Sequence, residues 1–203
     1  MDKDTKAHTQ NAEPNLPSFT SLKDHFLIAM PSLMEPHFFR SVTYLCEHSE
    51  KGAIGIVINQ PLLNLRLGDV LELMNIKTDY PEVAGRLIFA GGPSHTDRGF
   101  ILHETGTSWE STLQISDSIA LTTSPDILKA IAEDEGPTHN LVALGYANWE
   151  AGQLETEISQ NSWLYGPSSF DIIFHMAIEH RWRTAASLMG VDVDRLSSDI
   201  GHA

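Results

Sequence analysis

The chain has 203 residues, 41% of them hydrophobic and 20% charged, with 13 basic against 27 acidic side chains for a formal charge of −14 at neutral pH. That length supports one sizeable core. The charge disfavours direct nucleic-acid binding, which needs clustered Lys and Arg to displace condensed counterions, and only Arg181 and Arg183 approach a cluster. No apolar run approaches the roughly 18 residues that span a bilayer, and the first residues lack the apolar core of a secretory signal. The expectation is therefore a cytoplasmic protein without membrane attachment. The single cysteine, Cys46, excludes an intramolecular disulfide and any multi-cysteine metal site.

Residues 1–18 are polar, contain Pro14 and Pro17, and show no hydrophobic period, so a disordered arm is expected there. One ordered domain is expected over 19–193, with a loosely ordered acidic tail over 194–203. A strand is predicted at 25–30 (HFLIAM), ended by Pro31, and a loop at 32–40, where Pro36 bars a regular strand. Residues 41–48 (SVTYLCEH) alternate: Val42, Tyr44, Cys46 and His48 share one face, and Ser41, Thr43, Leu45 and Glu47 the other. A hairpin connection at 49–52 leads to 53–58 (AIGIVI), a continuously apolar run expected to be a central strand buried on both faces. Leu67, Val70, Leu71 and Met74 predict a short amphipathic helix over 67–75.

The apolar runs 86–90 and 99–103 predict two strands joined as a hairpin by a tight connection carrying Gly91, Gly92, Pro93, Ser94, His95, Asp97 and Arg98. Further strands are predicted at 111–116 and 119–123. Ser124-Pro125-Asp126 has the composition of a helix start, and that helix runs to about Glu133. A buried strand at 140–146, a helix at 150–161 and a short strand at 163–165 follow. The last helical pattern steps through Phe174, Ile178, Trp182, Ala185 and Met189, and Gly190 ends it. Sequence-adjacent strand runs with fewer helices place the chain in the α+β class.

Four groups of residues carry possible chemistry. Cys46 and His48, two apart on one strand, would leave the same face, so an imidazole could activate the thiol as a nucleophile or redox sensor. The plain alternative is a buried cysteine and a hydrogen-bonded strand-end histidine. The ten histidines show no HExxH spacing, and His175 with Glu179 is an i, i+4 pair of a kind any polar helix face supplies. No metal or cofactor is expected. Gly91 and Gly92, with Asp97, Arg98 and His103 beyond them, form a rigid loop and strand that could present N–H groups and a cation to an anion, or could be a structural turn. Tyr146, Trp149, Gln153 and Glu155 supply aromatic and polar lining for a recognition surface, or Trp149 packs beneath the following helix. If both segments form such a surface, Arg98→Ala and Trp149→Ala leave the fold intact.

Four blocks, HFLIAMP (25–31), SVTYLCEHSEKGAIGIVINQP (41–61), GGPSHTDRGFILH (91–103) and LGYANWEAGQLETEISQNSWL (144–164), resemble the hallmark segments of the YqgE/AlgH family, in order and over about 19–193. Ser94 stands where the family usually has an apolar residue, and Asn148 where it has a small one. The resemblance implies a bacterial cytoplasmic protein whose bifurcated β-sheet partly closes into a small barrel surrounded by helices. Members have often carried a transcriptional-regulator label, but the motifs bring no reaction and no catalytic residues. The expectation is a non-enzymatic regulatory protein acting indirectly through a protein or small-ligand partner. A thiol enzyme using Cys46 and His48, and a direct DNA-binding regulator, are the alternatives.

Overall fold

The structure, a computed structural model, describes residues 19–198; the arm expected over 1–18 and the last five residues of the expected tail lie outside them. In chain order the elements are β1 His25–Ala29, β2 Val42–Ser49, β3 Gly52–Val57, β4 Pro61–Arg66, α1 Leu67–Leu73, α2 Pro81–Ala84, β5 Leu87–Ala90, β6 Ser94–Glu104, β7 Thr112–Gln114, β8 Ile119–Thr122, α3 Pro125–Ala132, β9 Asn140–Glu150, α4 Gln153–Ser159, β10 Trp163–Pro167, α5 Phe170–Phe174, α6 Ile178–Leu188 and α7 Val193–Ser198. The strands form one ten-stranded, strongly curled sheet in the order β10-β1-β2-β3-β9-β6-β8-β7, with β4 and β5 branching from β9. This is the α+β, partly closed barrel that the sequence blocks imply.

The bifurcation lies along β9. Its second half pairs antiparallel with β3, from Gly55 opposite Ala147 to Gly52 opposite Glu150. On its first half, Ala143 and Leu144 pair in parallel with Phe89 and Ala90 of β5. The opposite edge of β9 is occupied by β6 from Asn140 to Tyr146.

Period-2 alternation assigns the two faces. Phe26, Ile28, Val42, Tyr44, Ile56, Leu102 and Leu121 point to one side, where Ile172 and Ile173 of α5 and Trp182, Ala185 and Ala186 of α6 cover them. The opposite face carries two further clusters. Leu27, Leu45, Ala147, Trp149 and Trp163 lie under Leu154 of α4 and Leu33 and Phe38 of the 31–40 loop. Ile88, Ile101 and Val142 lie under α1, α2 and α3. Two side chains of α6 tie it to strand backbone: Trp182 Nε1 donates to Ala29 O at 2.8 Å, and the buried Arg181 guanidinium donates to Ile58 O and Met176 O. Burial pulls the Arg181 pKa down to about 10, so it remains charged at neutral pH.

Several boundaries differ from expectation. Residues 86–103 are not a hairpin: β5 and β6 do not pair with each other but flank β9 on opposite edges. Strand β9 continues to Glu150, because buried Ala147 and Trp149 keep alternating with exposed Asn148 and Glu150; the helix starts only at Gln153, after Gly152 at φ +75°. The single terminal helix is two, α5 and α6, broken at Ala177 (φ −56°, ψ 135°), and Arg181 Nε binds the Met176 carbonyl beside the break. Residues 61–66 form β4, an edge strand bridged to β5 only at Pro61 and Arg66, so its side chains show no clean alternation. Val193, the last residue of the expected domain, is buried against the main core and starts α7, which continues to Ser198 through the first part of the segment expected to be loosely ordered.

Candidate functional site

The glycines of the Gly91-Gly92-Pro93 segment are explained by a backbone crossing. To pass from one edge of β9 to the other, the chain climbs over β9 at Gly145 (φ +74°). A Cβ on Gly91 would collide with the Gly145 carbonyl, one on Gly92 with the Tyr146–Ala147 peptide, and one on Gly145 would lie 2.6 Å from Gly92 O. Only glycine permits so close an approach. Gly91 N donates to Leu144 O at 2.8 Å, and Gly91 O accepts from Val57 N at 2.8 Å. The Gly91 backbone groups are therefore spent on the sheet and are not offered to an anion.

Beyond the crossing, β6 bulges. Ser94 opposes Tyr146 and Gly99 opposes Leu144, so residues 95–98 are extruded from the ladder, with His95 at φ +48°. Bulges of this kind re-aim side chains. The His95 ring stacks on Tyr146 at 5.7 Å and 8°, and Phe100 packs on Tyr146 at 5.2 Å. Ser94 Oγ bonds the Asn148 side chain, so the two departures from the family pattern are one contact. Arg98 is exposed. Asp97 stands at the edge of a groove of about 460 Å³ on the face opposite the main core. Val70, Leu73 and Met74 from α1 and its C-terminus form one wall, Pro125 and Leu128 of α3 the other, and Ile101, Val142 and Leu144 the floor. Asp97 is the only charged residue in that lining, and its carboxylate has no hydrogen-bond or ion-pair partner among the described residues.

Cys46 and His48 do not share a face. The register slips between Leu45, opposite Gly55, and Glu47, opposite Ile54, so Cys46 is an inserted bulge residue and the parity of the strand reverses after it. Cys46 faces the main core, wholly buried, with its thiol donating to Tyr44 O at 3.6 Å. Burial pushes its pKa well above that of a free thiol. His48, opposite Ala53, turns to the other side. There its Nδ1 accepts from Leu22 N at 2.8 Å and its Nε2 lies 2.9 Å from Glu155 Oε1, which fixes the proton on Nε2. Phe19 packs on the ring at 4.9 Å. His48 thus clamps residues 19–22 to the sheet.

Tyr146 and Trp149 lie on opposite faces. Trp149 is 4% exposed, stacks on Phe38 at 6.0 Å and meets Trp163 edge-on at 5.9 Å. Trp149 Nε1 and Trp163 Nε1 both donate to Glu157 Oε2, at 2.9 and 2.8 Å. The expectation that Trp149→Ala spares the fold is therefore corrected: removing this indole opens a core cavity, a change that costs about 3–5 kcal/mol. Gln153, on the surface, bridges Glu150 N and Glu157 Oε1. His103 is wholly buried between Glu104 O and Thr122 Oγ1, and burial lowers its pKa, so it is a neutral core residue and not a surface ligand contact.

One cluster has no counterpart in the sequence reading. His139 Nδ1 meets Glu104 Oε2 at 2.8 Å, His175 Nδ1 meets Asp171 Oδ1 at 2.9 Å, and the two rings stand edge to face at 4.7 Å beside Phe170. The i, i+4 partner of His175 is Asp171 behind it and not Glu179 ahead. The hydrogen bond from His139 holds the Glu104 carboxyl below the usual carboxylate range. The Asp171–His175 spacing is visible in the sequence, whereas Glu104 and His139 are brought together by the β6–β9 pairing. Among the described residues no group of three or more His, Cys, Asp or Glu is placed to hold a metal ion.

The AlgH-like family model matches residues 26–194. A UPF0301 protein of Saccharophagus degradans is 50% identical over 196 residues, covering 97% of this chain and 96% of its own. A UPF0301 protein of Thioalkalivibrio sulfidiphilus is 52% identical over 184 residues, covering 91% and 98%. Among solved structures, the solution structure of the AlgH protein from Pseudomonas aeruginosa matches at 46% identity with a TM-score of 0.75, over 95% of this chain and 100% of that one. A crystal structure from Corynebacterium diphtheriae, at 19% identity and a TM-score of 0.67 over 92% of this chain and 94% of that one, shares the fold. The chain belongs to the AlgH-like family, the one its four sequence blocks resemble.

Proposed function

We propose that this protein is a non-enzymatic cytoplasmic binding protein, regulatory through its ligand-bound state, whose ligand is a small amphiphile with a cationic group. The observation that carries the proposal is the groove between α1 and α3, mostly aliphatic apart from Thr123 and Ser124, with the Asp97 carboxylate, unpaired among the described residues, as its only charge. Its volume of about 460 Å³ falls within the few hundred to about 1,000 Å³ of small-molecule sites. An apolar body would displace water from Val70, Leu128, Val142 and Leu144, and a cationic head would meet Asp97 in a charge-assisted hydrogen bond. Two of the four family blocks meet here, through Asp97, Gly99 and Ile101 on one side and Leu144 on the other.

Binding is favoured over thiol chemistry because Cys46 is buried and faces away from His48. An indirect regulatory role is favoured over direct DNA contact by the formal charge of −14, and a reducing compartment accords with a lone buried thiol. The test uses n-octylammonium and octanoate as probes, followed by methyl shifts of Val70, Leu128 and Leu144. Octylammonium is expected to bind saturably and octanoate at least tenfold more weakly, with Asp97→Asn abolishing the difference. Equal binding of the two probes, or an unchanged preference in Asp97→Asn, refutes the proposal.

A further inference from the structure

On another part of the surface, Phe39, Arg40, Asn59, Gln60, Pro61, Ile178, Glu179, Trp182 and Arg183 enclose a second pocket of about 460 Å³. In a chain with 13 basic residues against 27 acidic ones, this lining holds two arginines, Arg40 and Arg183, and one carboxylate, Glu179. Arg40 is held in the left-handed region at φ +52°, a conformation that a non-glycine side chain keeps only when its surroundings over-determine it. Here they do. The Asn59 side chain donates to Arg40 O at 2.9 Å and accepts from Val42 N at 2.8 Å, Gln60 Nε2 donates to Phe39 O at 3.4 Å, and Ser41 N donates to Phe38 O at 3.0 Å. Below them, Arg181 anchors Ile58 O and so the strand end from which Asn59 and Gln60 extend.

This framework presents one group. The Arg40 guanidinium lies over the Phe39 ring at 5.1 Å and the Trp182 ring at 5.4 Å. Among the described residues it has no carboxylate partner and no hydrogen bond. Stacking of this kind occupies the flat face of a guanidinium and leaves its N–H edge free, the edge that matches a carboxylate or phosphate in two parallel hydrogen bonds. Pro61, Ile178 and the two rings provide an apolar floor beside it.

We infer that this pocket is an oxyanion-binding site, in which Arg40 takes the phosphate or carboxylate group of a small molecule and the exposed Phe39 ring, with Pro61 and Ile178, takes that molecule's flat apolar part. The site is separate from the α1–α3 groove and stands or falls independently of it. The test is a titration of the full chain with phenyl phosphate and, separately, benzoate, against chloride at matched ionic strength. It is read from the Arg40 Nε–H, Asn59 side-chain and Trp182 Nε1–H signals in ¹H–¹⁵N spectra. Saturable shifts with either probe but not with chloride are expected, and the stronger probe identifies whether the group is phosphate or carboxylate. Arg40→Gly is the decisive variant, because glycine accepts φ +52° without strain and the fold is retained; it should weaken binding at least tenfold, while Arg98→Ala, outside the pocket, leaves it unchanged. Shifts that track ionic strength alone, or binding that survives Arg40→Gly, overturn the inference.

Discussion

Gly145→Ala tests whether the glycines of the family blocks serve the strand crossing. A Cβ there would stand 2.6 Å from Gly92 O and 2.9 Å from Ser94 O. Ordinary contact begins near 3.4 Å, so the crossing chain must retreat by about 0.8 Å, the difference between 3.4 and the 2.6 Å available. Such a shift strains the Gly91 N–Leu144 O and Val57 N–Gly91 O hydrogen bonds, worth about 1 kcal/mol each. Placing a Cβ at φ +74° adds about 1–2 kcal/mol. The total, about 3–4 kcal/mol, is a large share of the 5–15 kcal/mol by which domains are stable and corresponds to a fall in Tm on the order of 10 °C. Gly152→Ala is the matched control, since its φ is +75° and no atom lies within 4 Å of an added Cβ. Urea denaturation followed by tryptophan fluorescence should show Gly145→Ala losing at least 2 kcal/mol more than Gly152→Ala. Equal losses would mean that the crossing does not require glycine.

Cys46, buried and with its thiol pKa raised by that burial, should resist alkylation of the native protein at pH 7–9 and react only at the rate of unfolding; labelling within minutes, at the rate of a free thiol, refutes its placement. The Glu104 carboxyl, held low first by the hydrogen bond from His139, stabilises the fold above the unfolded carboxyl pKa of about 4.3 and loses that contribution as pH falls through its lower folded value. In His139→Ala its titration, followed by carboxyl ¹³C NMR, should move up toward the ordinary value. An unmoved titration would show that the hydrogen bond is not the cause.

How much was legible in the chain varies by the range of the interaction. The runs at 25–30, 53–58 and 119–123 and the helix start at Ser124-Pro125-Asp126 depend on local patterning, and β1, β3, β8 and α3 are found there. The same patterning misled wherever one residue changes parity. The insertion at Cys46 sends His48 to the opposite face, and the bulge over 95–98 makes a strand of what reads as a turn. Alternation is a count along one chain, but a bulge is defined by the partner strand, which the count does not include.

By itself the sequence determined the α+β class, the family through its four ordered blocks and the acidic charge balance, and it marked Gly91 and Gly92 as a rigid segment. Only the tertiary structure decided what those features do. It set Gly145 beneath Gly91 and Gly92, buried Trp149 and His103, separated Cys46 from His48, and gathered Glu104 with His139 and Arg40 with Asn59 and Trp182. Each of these depends on residues far apart in the chain, whose distances are set by strand register and by packing against the far side of the sheet, quantities that no local pattern of residues encodes.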